Sequence, residues 1–163
     1  MNVRNETSLV IQLPTEEASN DVAKRLALYI TPPLVLGFNA DLGVGKSTLI
    51  RSLLRAWGVR GAIKSPTFSL VESYELEDFT VHHFDLYRID HEDELMTLGF
   101  REYFENEAVI CIEWVSKAGE ALPRIDLRFN MEIMGTGRQL TLQALTESGM
   151  DVLNALRRKE CEF

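Results

Sequence analysis

The segment Ala40-Asp41-Leu42-Gly43-Val44-Gly45-Lys46-Ser47 concentrates the residues of this chain that can handle an anion. Gly43 and Gly45 let successive backbone N–H groups turn toward a phosphate. Lys46 follows at the spacing from which an ammonium reaches a β- or γ-phosphate, and the Ser47 hydroxyl is placed to ligate Mg²⁺. The usual form of this loop opens with Gly, and Ala40 stands there instead. A Gly-rich turn can also precede a helix with no ligand at all, so the flanking residues decide. Leu34 to Phe38 is an apolar run without alternation, as in a strand covered on both faces. After the loop, Leu49, Leu53 and Trp57 recur on one helical face, and the helix start adds its dipole to the anion site. Strand, phosphate turn and helix together read as nucleotide binding. The chain holds no Asn-Lys-x-Asp guanine reader, which favours ATP. A metal-binding carboxylate belongs at the end of a neighbouring strand, where open α/β sheets bind ligands. Asp85, in His-His-Phe-Asp-Leu-Tyr-Arg, and Glu113, ending Ala-Val-Ile-Cys-Ile-Glu, are the two candidates.

The elements that must position these groups follow from periodicity. Ser8 to Leu13 reads as a strand stopped by Pro14. Thr15 can cap a helix whose first turn carries Glu16 and Glu17, with Ala18, Val22, Leu26 and Tyr29 along one side. Phe68 to Leu76 and Thr80 to Leu86 read as two strands around an acidic turn, and His91 to Leu98 as a short helix ended by Gly99. Ala108 to Trp114 reads as another buried strand. The period then switches to two: Ile125, Leu127, Phe129, Met131 and Ile133 point one way, and Asp126, Arg128, Asn130 and Glu132 the other. Gly135-Thr136-Gly137 turns the chain into a returning strand through Leu140, Leu142 and Ala144, and Met150 to Arg158 closes the chain as a helix. The fold class is α/β: a mixed sheet of the P-loop NTPase type with helices on both faces and an antiparallel C-terminal hairpin. No linker or repeat interrupts the sequence, so residues 1–163 read as one domain whose last few residues fray.

Composition narrows the partners. The chain has 163 residues and a formal net charge of −8, which disfavours unaided binding to a phosphate backbone. Cys111 and Cys161 sit far apart with no metal-ligand spacing, as expected of a reduced, cytoplasmic setting. The N-terminal residues lack the apolar region of a signal peptide, and no apolar run approaches the roughly 20 residues of a membrane span. His82 and His83 alternate on a strand and lack a third ligand for a metal site. Arg88 is positioned to bridge the acidic Asp90-to-Glu94 segment.

Four ordered segments carry a family resemblance: Asp41 to Ser47, Lys64-Ser65-Pro66-Thr67-Phe68-Ser69-Leu70-Val71-Glu72, His83-Phe84-Asp85-Leu86-Tyr87-Arg88 and Ile112-Glu113-Trp114. Together they resemble the TsaE (YjeE) family of small bacterial P-loop ATPases, which are needed to form threonylcarbamoyladenosine beside the tRNA anticodon. The resemblance implies that Leu42, Gly43, Val44, Gly45, Lys46 and Ser47 hold the phosphates, with Ser47 and Glu113 ligating Mg²⁺. It implies that Asp85 lies at the γ-phosphate and orders the attacking water, so that Lys46, Asp85 and Glu113 carry catalysis. Ser65-Pro66-Thr67 resembles a nucleotide-sensing switch, Glu16 and Arg138 match positions bordering the nucleotide, and Trp114 matches a tryptophan beside the base. A tryptophan at a strand end serves core packing as readily as base stacking. The chain departs from the family pattern at Ala40, at Ser47 where Thr is usual, and at Val115 where Pro follows the tryptophan. The implied partners are TsaD and TsaB-like proteins of the threonylcarbamoyl-transferase complex, with tRNA met only through them.

Two other readings use the same loop. A small-molecule kinase would need an arginine-rich lid, and the clustered Arg51, Arg55 and Arg60 lie along the loop's helix instead. A nucleotide-sensing scaffold would bind ATP with negligible turnover.

Overall fold

The computed structural model describes residues 7–39 and 46–161, with side chains left out for Lys46, Ser47 and residues 159–161. One seven-stranded sheet runs in the order β1-β7-β6-β2-β5-β4-β3. Its strands are β1 (Ser8–Leu13), β2 (Leu34–Asn39), β3 (Val71–Glu75), β4 (Thr80–Asp85), β5 (Ala108–Glu113), β6 (Leu127–Met134) and β7 (Gly137–Ala144). The centre is parallel: β4 pairs with β5, β5 with β2, and β2 with β6. Antiparallel pairs close both sides, β3 on β4, and β7 between β6 and β1. β2 and β5 are buried on both faces, which is why their sequences show no alternation.

Helices α1 (Glu16–Tyr29), α2 (Lys46–Trp57) and α4 (Glu147–Cys161) build a core on one face with Leu36, Phe38, Val81, Val109, Cys111, Leu127 and Phe129. The opposite core, around Val35, Phe84, Ile110 and Ile112, is roofed by the short α3 (Asp93–Thr97) and two 3-10 segments, Phe100–Phe104 and Val115–Ala121. Thr15 caps α1, its Oγ1 accepting from the Ala18 N–H at 3.1 Å. α4 starts earlier than its apolar spacing suggests because the Thr146 hydroxyl accepts from the Gly149 N–H at 3.2 Å and fixes the helix start. Among the described residues no helix is long and apolar enough to cross a membrane.

The alternation read over residues 125–133 holds only at its centre. Leu127, Phe129 and Met131 are buried, but Ile133 is 56% exposed. Register explains this: Asn130 lies opposite Asn39, the end of β2, so Met131 to Met134 run past the sheet's parallel centre. Ile125 precedes β6 and packs into the opposite core instead. Asp126, expected on the wet face, is buried. Its carboxylate accepts from the Val35 N–H at 2.7 Å and the Thr146 hydroxyl at 2.6 Å, tying β2 to the start of α4.

The overhanging hairpin comes back against the start of α1, with Arg138 opposite both Ile133 and Leu13. A Cβ on Gly137 would stand 2.8 Å from the Leu13 carbonyl oxygen and 2.8 Å from Pro14 Cα, both backbone atoms. Gly137→Ala is therefore expected to destabilise the fold by about 1–3 kcal/mol, the usual toll of overpacking, as urea denaturation would measure. An unchanged midpoint would mean that the hairpin can swing clear of Pro14 at no cost.

Candidate functional site

Parallel strands end together, so β4 and β5 deliver Asp85 and Glu113 as register neighbours at one edge of the sheet. Period two puts Val81, His83 and Asp85 on the same face of β4, and Val81 marks it as the face under α1, α2 and α4. Both carboxylates are buried, Asp85 at 6% exposure and Glu113 at 1%, and both are hydrogen-bonded, as buried charges must be.

Asp85 is tied to the loop after α2. Its Oδ2 accepts from the Thr67 hydroxyl at 2.8 Å, and Oδ1 accepts from the Tyr87 N–H at 3.0 Å. Thr67 Oγ1 also lies 2.8 Å from Ser65 Oγ, so a chain of hydroxyls runs back from Asp85 to Ser65. The loop folds into a tight turn, with the Leu70 N–H donating to the Pro66 carbonyl at 2.7 Å and the Asp85 N–H to the Leu70 carbonyl at 3.0 Å. Leu70 has φ +73, and Trp114, just after Glu113, has φ +57. A bulky side chain in that region is strained, and both such residues border the carboxylates, where strain of this sort concentrates in functional sites.

Glu113 pairs with His83, its Oε2 lying 2.8 Å from His83 Nε2. Both line a cavity of about 260 Å³ under α2 with Arg51, Lys64 and Ser65. Across the register from His83, burial and the Glu113 charge push the Cys111 thiol far up, so it supplies neither a thiolate ligand nor a nucleophile.

A second cleft, of about 230 Å³, opens between the start of α1 and the hairpin. Thr15, Glu16 and Ser19 line it with Thr48 of α2, Met131 and Arg138. Arg138 donates to the Gly137 carbonyl at 3.0 Å. Thr48 also lines the larger hollow between α1 and α2, with Asn20, Lys24, Arg51 and Arg55.

The structure thus brings Thr67 to Asp85 and Asp85 beside Glu113, and it puts Glu16 and Arg138 on one cleft. Trp114 lies apart from Glu16 and Arg138. It borders a different hollow with Asn39, Asn130 and Thr141, its ring 5.3 Å from that of Tyr87, with the Lys117 ammonium over both rings. The residues read as the phosphate loop, Leu42, Gly43, Val44 and Gly45 with Ala40 and Asp41, lie outside the described residues, as do the side chains of Lys46 and Ser47. Their position is bounded by Asn39 at the end of β2 and by Lys46 opening α2. Arg88 does not bridge to the Asp90–Glu94 segment. Its guanidinium lies 4.9 Å from the centre of the Phe68 ring, because the 66–70 turn brings that ring within reach. His83 is the site residue that spacing alone did not single out. Its signal was position, two residues before Asp85 on one strand and so on the same face.

The donor chemistry at the carboxylates suits a hard cation such as Mg²⁺, which prefers oxygen ligands and takes one or two carboxylates together with substrate phosphates. Among the described residues no three His, Cys, Asp or Glu side chains converge as a self-sufficient metal cage.

A mixed sheet, parallel at its centre, with two carboxylates side by side at the C-terminal ends of β4 and β5, defines an α/β protein with the kind of edge at which open α/β sheets bind ligands. The comparisons name the particular family. The family model described as "Threonylcarbamoyl adenosine biosynthesis protein TsaE" matches residues 13–140. The chain is 35% identical over 153 residues to the tRNA threonylcarbamoyladenosine biosynthesis protein TsaE of Haemophilus influenzae, covering 91% of this chain and 97% of that one. It is 32% identical over 130 residues to the protein of the same name from Bacillus subtilis, covering 79% and 81%. The crystal structure of Bacillus subtilis YdiB superposes with a TM-score of 0.81 at 25% identity, covering 94% of this chain and 96% of that one. The chain belongs to the TsaE family.

Proposed function

We propose that this chain is a Mg²⁺-dependent ATPase of the bacterial cytoplasm that serves formation of threonylcarbamoyladenosine in tRNA. It drives the cycle of a TsaD and TsaB-like transferase complex and does not itself transfer the threonylcarbamoyl group. The observation that carries this reading is the 2.8 Å bond from the Thr67 hydroxyl to Asp85. A loop of switch type is fastened directly to a carboxylate at the strand edge where the γ-phosphate would lie, so loss of that phosphate has a mechanical route to the surface.

In this reading the loop from Leu42 to Gly45 and the Lys46 ammonium hold the phosphates. Bound Mg²⁺, held by Ser47 and Glu113 together with the phosphates, would neutralise charge developing on the transferring phosphoryl group. Asp85 orients the attacking water. Glu16 and Arg138 border the nucleotide from the α1 cleft. Trp114, in its separate hollow with Tyr87, serves the base only if the nucleotide reaches across Met131, which lines both hollows. The net charge of −8 leaves tRNA contact to the partners.

Reconstituting tRNA modification from TsaD, TsaB and their companion enzymes, with and without this chain, tests the proposal. Multiple rounds of modification are expected only in its presence, and equal yields without it reject the role. The switch has its own test. ATP-analogue and ADP forms are expected to bind the partner pair with different affinity, and Thr67→Ala to shrink that difference to within about twofold while ATP still binds, because only a differential affinity can shift such an equilibrium. Equal affinities of the two wild-type forms in calorimetry would leave the chain a nucleotide-indifferent subunit.

A further inference from the structure

We infer that His83 is a positioning residue for Glu113: Nε2–H holds the carboxylate in the orientation the metal site uses. The inference rests on the proposed metal role of Glu113 and goes beyond it by assigning a residue that acts through that ligand.

The geometry begins with burial. His83 is 4% exposed and its Nε2 lies 2.8 Å from Glu113 Oε2. A carboxylate acting as a ligand accepts hydrogen bonds, so Nε2 carries the proton and Nδ1 is left as an acceptor. Nδ1 is buried and has no hydrogen-bond partner among the described residues. A buried acceptor without a donor is expensive, and a purely apolar position would not retain one. The neighbouring positions on this face make the contrast plain, since Val81 and Val109 fill them with hydrocarbon. What lies beside His83 is a cavity of about 260 Å³, shared with Lys64 and Ser65. Ser65 in turn continues through Thr67 to Asp85. His83 is therefore bonded directly to Glu113, two residues before Asp85 on the same face of β4, and shares its cavity with Ser65 at the far end of the Asp85 hydroxyl chain. A ligand carboxylate held by an imidazole N–H is oriented in the way that partners of metal ligands commonly are.

The test reads metal-dependent binding rather than turnover. Affinity for a fluorescent N-methylanthraniloyl ADP is measured across a Mg²⁺ titration. In the wild type Mg²⁺ is expected to tighten binding. His83→Leu is expected to raise the Mg²⁺ half-point about tenfold, within the usual range for partners of metal ligands, and to leave metal-free affinity unchanged. His83→Gln, whose carboxamide N–H reaches the Nε2 position, is expected to restore most of the loss. Long-range ¹H–¹⁵N NMR of the wild-type imidazole is expected to give the Nε2–H tautomer, a readout that needs no variant to fold. The Nδ1–H tautomer, or a half-point that His83→Leu leaves unchanged in a folded protein, overturns the inference alone. Absence of any Mg²⁺ effect in the wild type overturns the metal reading of Glu113 and the inference with it.

Discussion

Lys46→Ala is expected to lower ATP affinity about 100-fold, the upper end of what one charge-assisted hydrogen bond supplies, with the thermal midpoint nearly unchanged. Lys46 opens α2, and α2 follows the end of β2 after a short Gly-rich stretch. β2, which leads into that stretch, pairs with β5, so Phe38 is the register neighbour of Glu113. The chain carries eight more acidic than basic side chains, 25 against 17, so an approaching polyphosphate meets a repulsive background that only local donors can overcome. Backbone N–H groups of the loop can contribute in the variant as before; the ammonium cannot. Isothermal titration with ATP decides it: an unchanged dissociation constant would show that the loop from Ala40 to Ser47 is a structural turn. The small expected change in stability follows from position, since the loss of a first-turn cation removes a charge unfavourable to the helix dipole.

The parts of this fold that were legible in sequence are those where one physical effect acts alone. β2 and β5 announced themselves because both faces are buried, leaving Leu34 to Phe38 and Ala108 to Ile112 uniformly apolar. α1 was legible from Thr15 and the two acids after it, and the Thr15 cap is in place. The hairpin was legible from its period, but not where it begins or how far it overhangs. That is why Ile125 and Asp126 lie on faces the alternation does not give them and why Ile133 is exposed: alternation counts residues and is blind to where a partner strand ends. The site divides in the same way. Asp85 and Glu113 could be named as strand-end carboxylates from their apolar lead-ins, whereas their adjacency is a matter of strand order, which places β4 next to β5 although twenty-two residues separate the two strands. Trp114 follows Glu113 directly in sequence and yet lines a hollow apart from Glu16 and Arg138, because the left-handed backbone at Trp114 turns its ring toward Tyr87. For Arg88 the sequence offers the nearest acids, whereas the 66–70 turn supplies Phe68 from farther away.

Glu113 offers the sharpest division between chemistry and structure, because two substitutions separate its charge from its hydrogen bond. Glu113→Ala removes both. The buried His83 Nε2–H then loses its acceptor, and the fold should weaken by about 1–3 kcal/mol, the penalty of an unsatisfied buried donor. Glu113→Gln keeps an oxygen of the same reach, so His83 still donates and the stability loss should be much smaller. Turnover responds to a different property. A carboxylate ligand acts through its negative charge on the metal and thereby on charge developing at the transferring phosphoryl, and a neutral amide supplies little of that. Both variants are therefore expected to hydrolyse ATP in the presence of the partner proteins about 10²- to 10³-fold more slowly, the scale on which single electrostatic groups act in transition states. ATP binding should fall far less, since the loop and Lys46 hold the phosphates through their own donors. Single-turnover hydrolysis, ATP titration and urea denaturation on the two variants form the measurement. Equal losses of turnover with unequal losses of stability would place Glu113 at the reacting centre and His83 behind it. Normal hydrolysis in Glu113→Gln would reduce Glu113 to a buried carboxylate whose task is to satisfy His83, and the metal would have to be held by other oxygens.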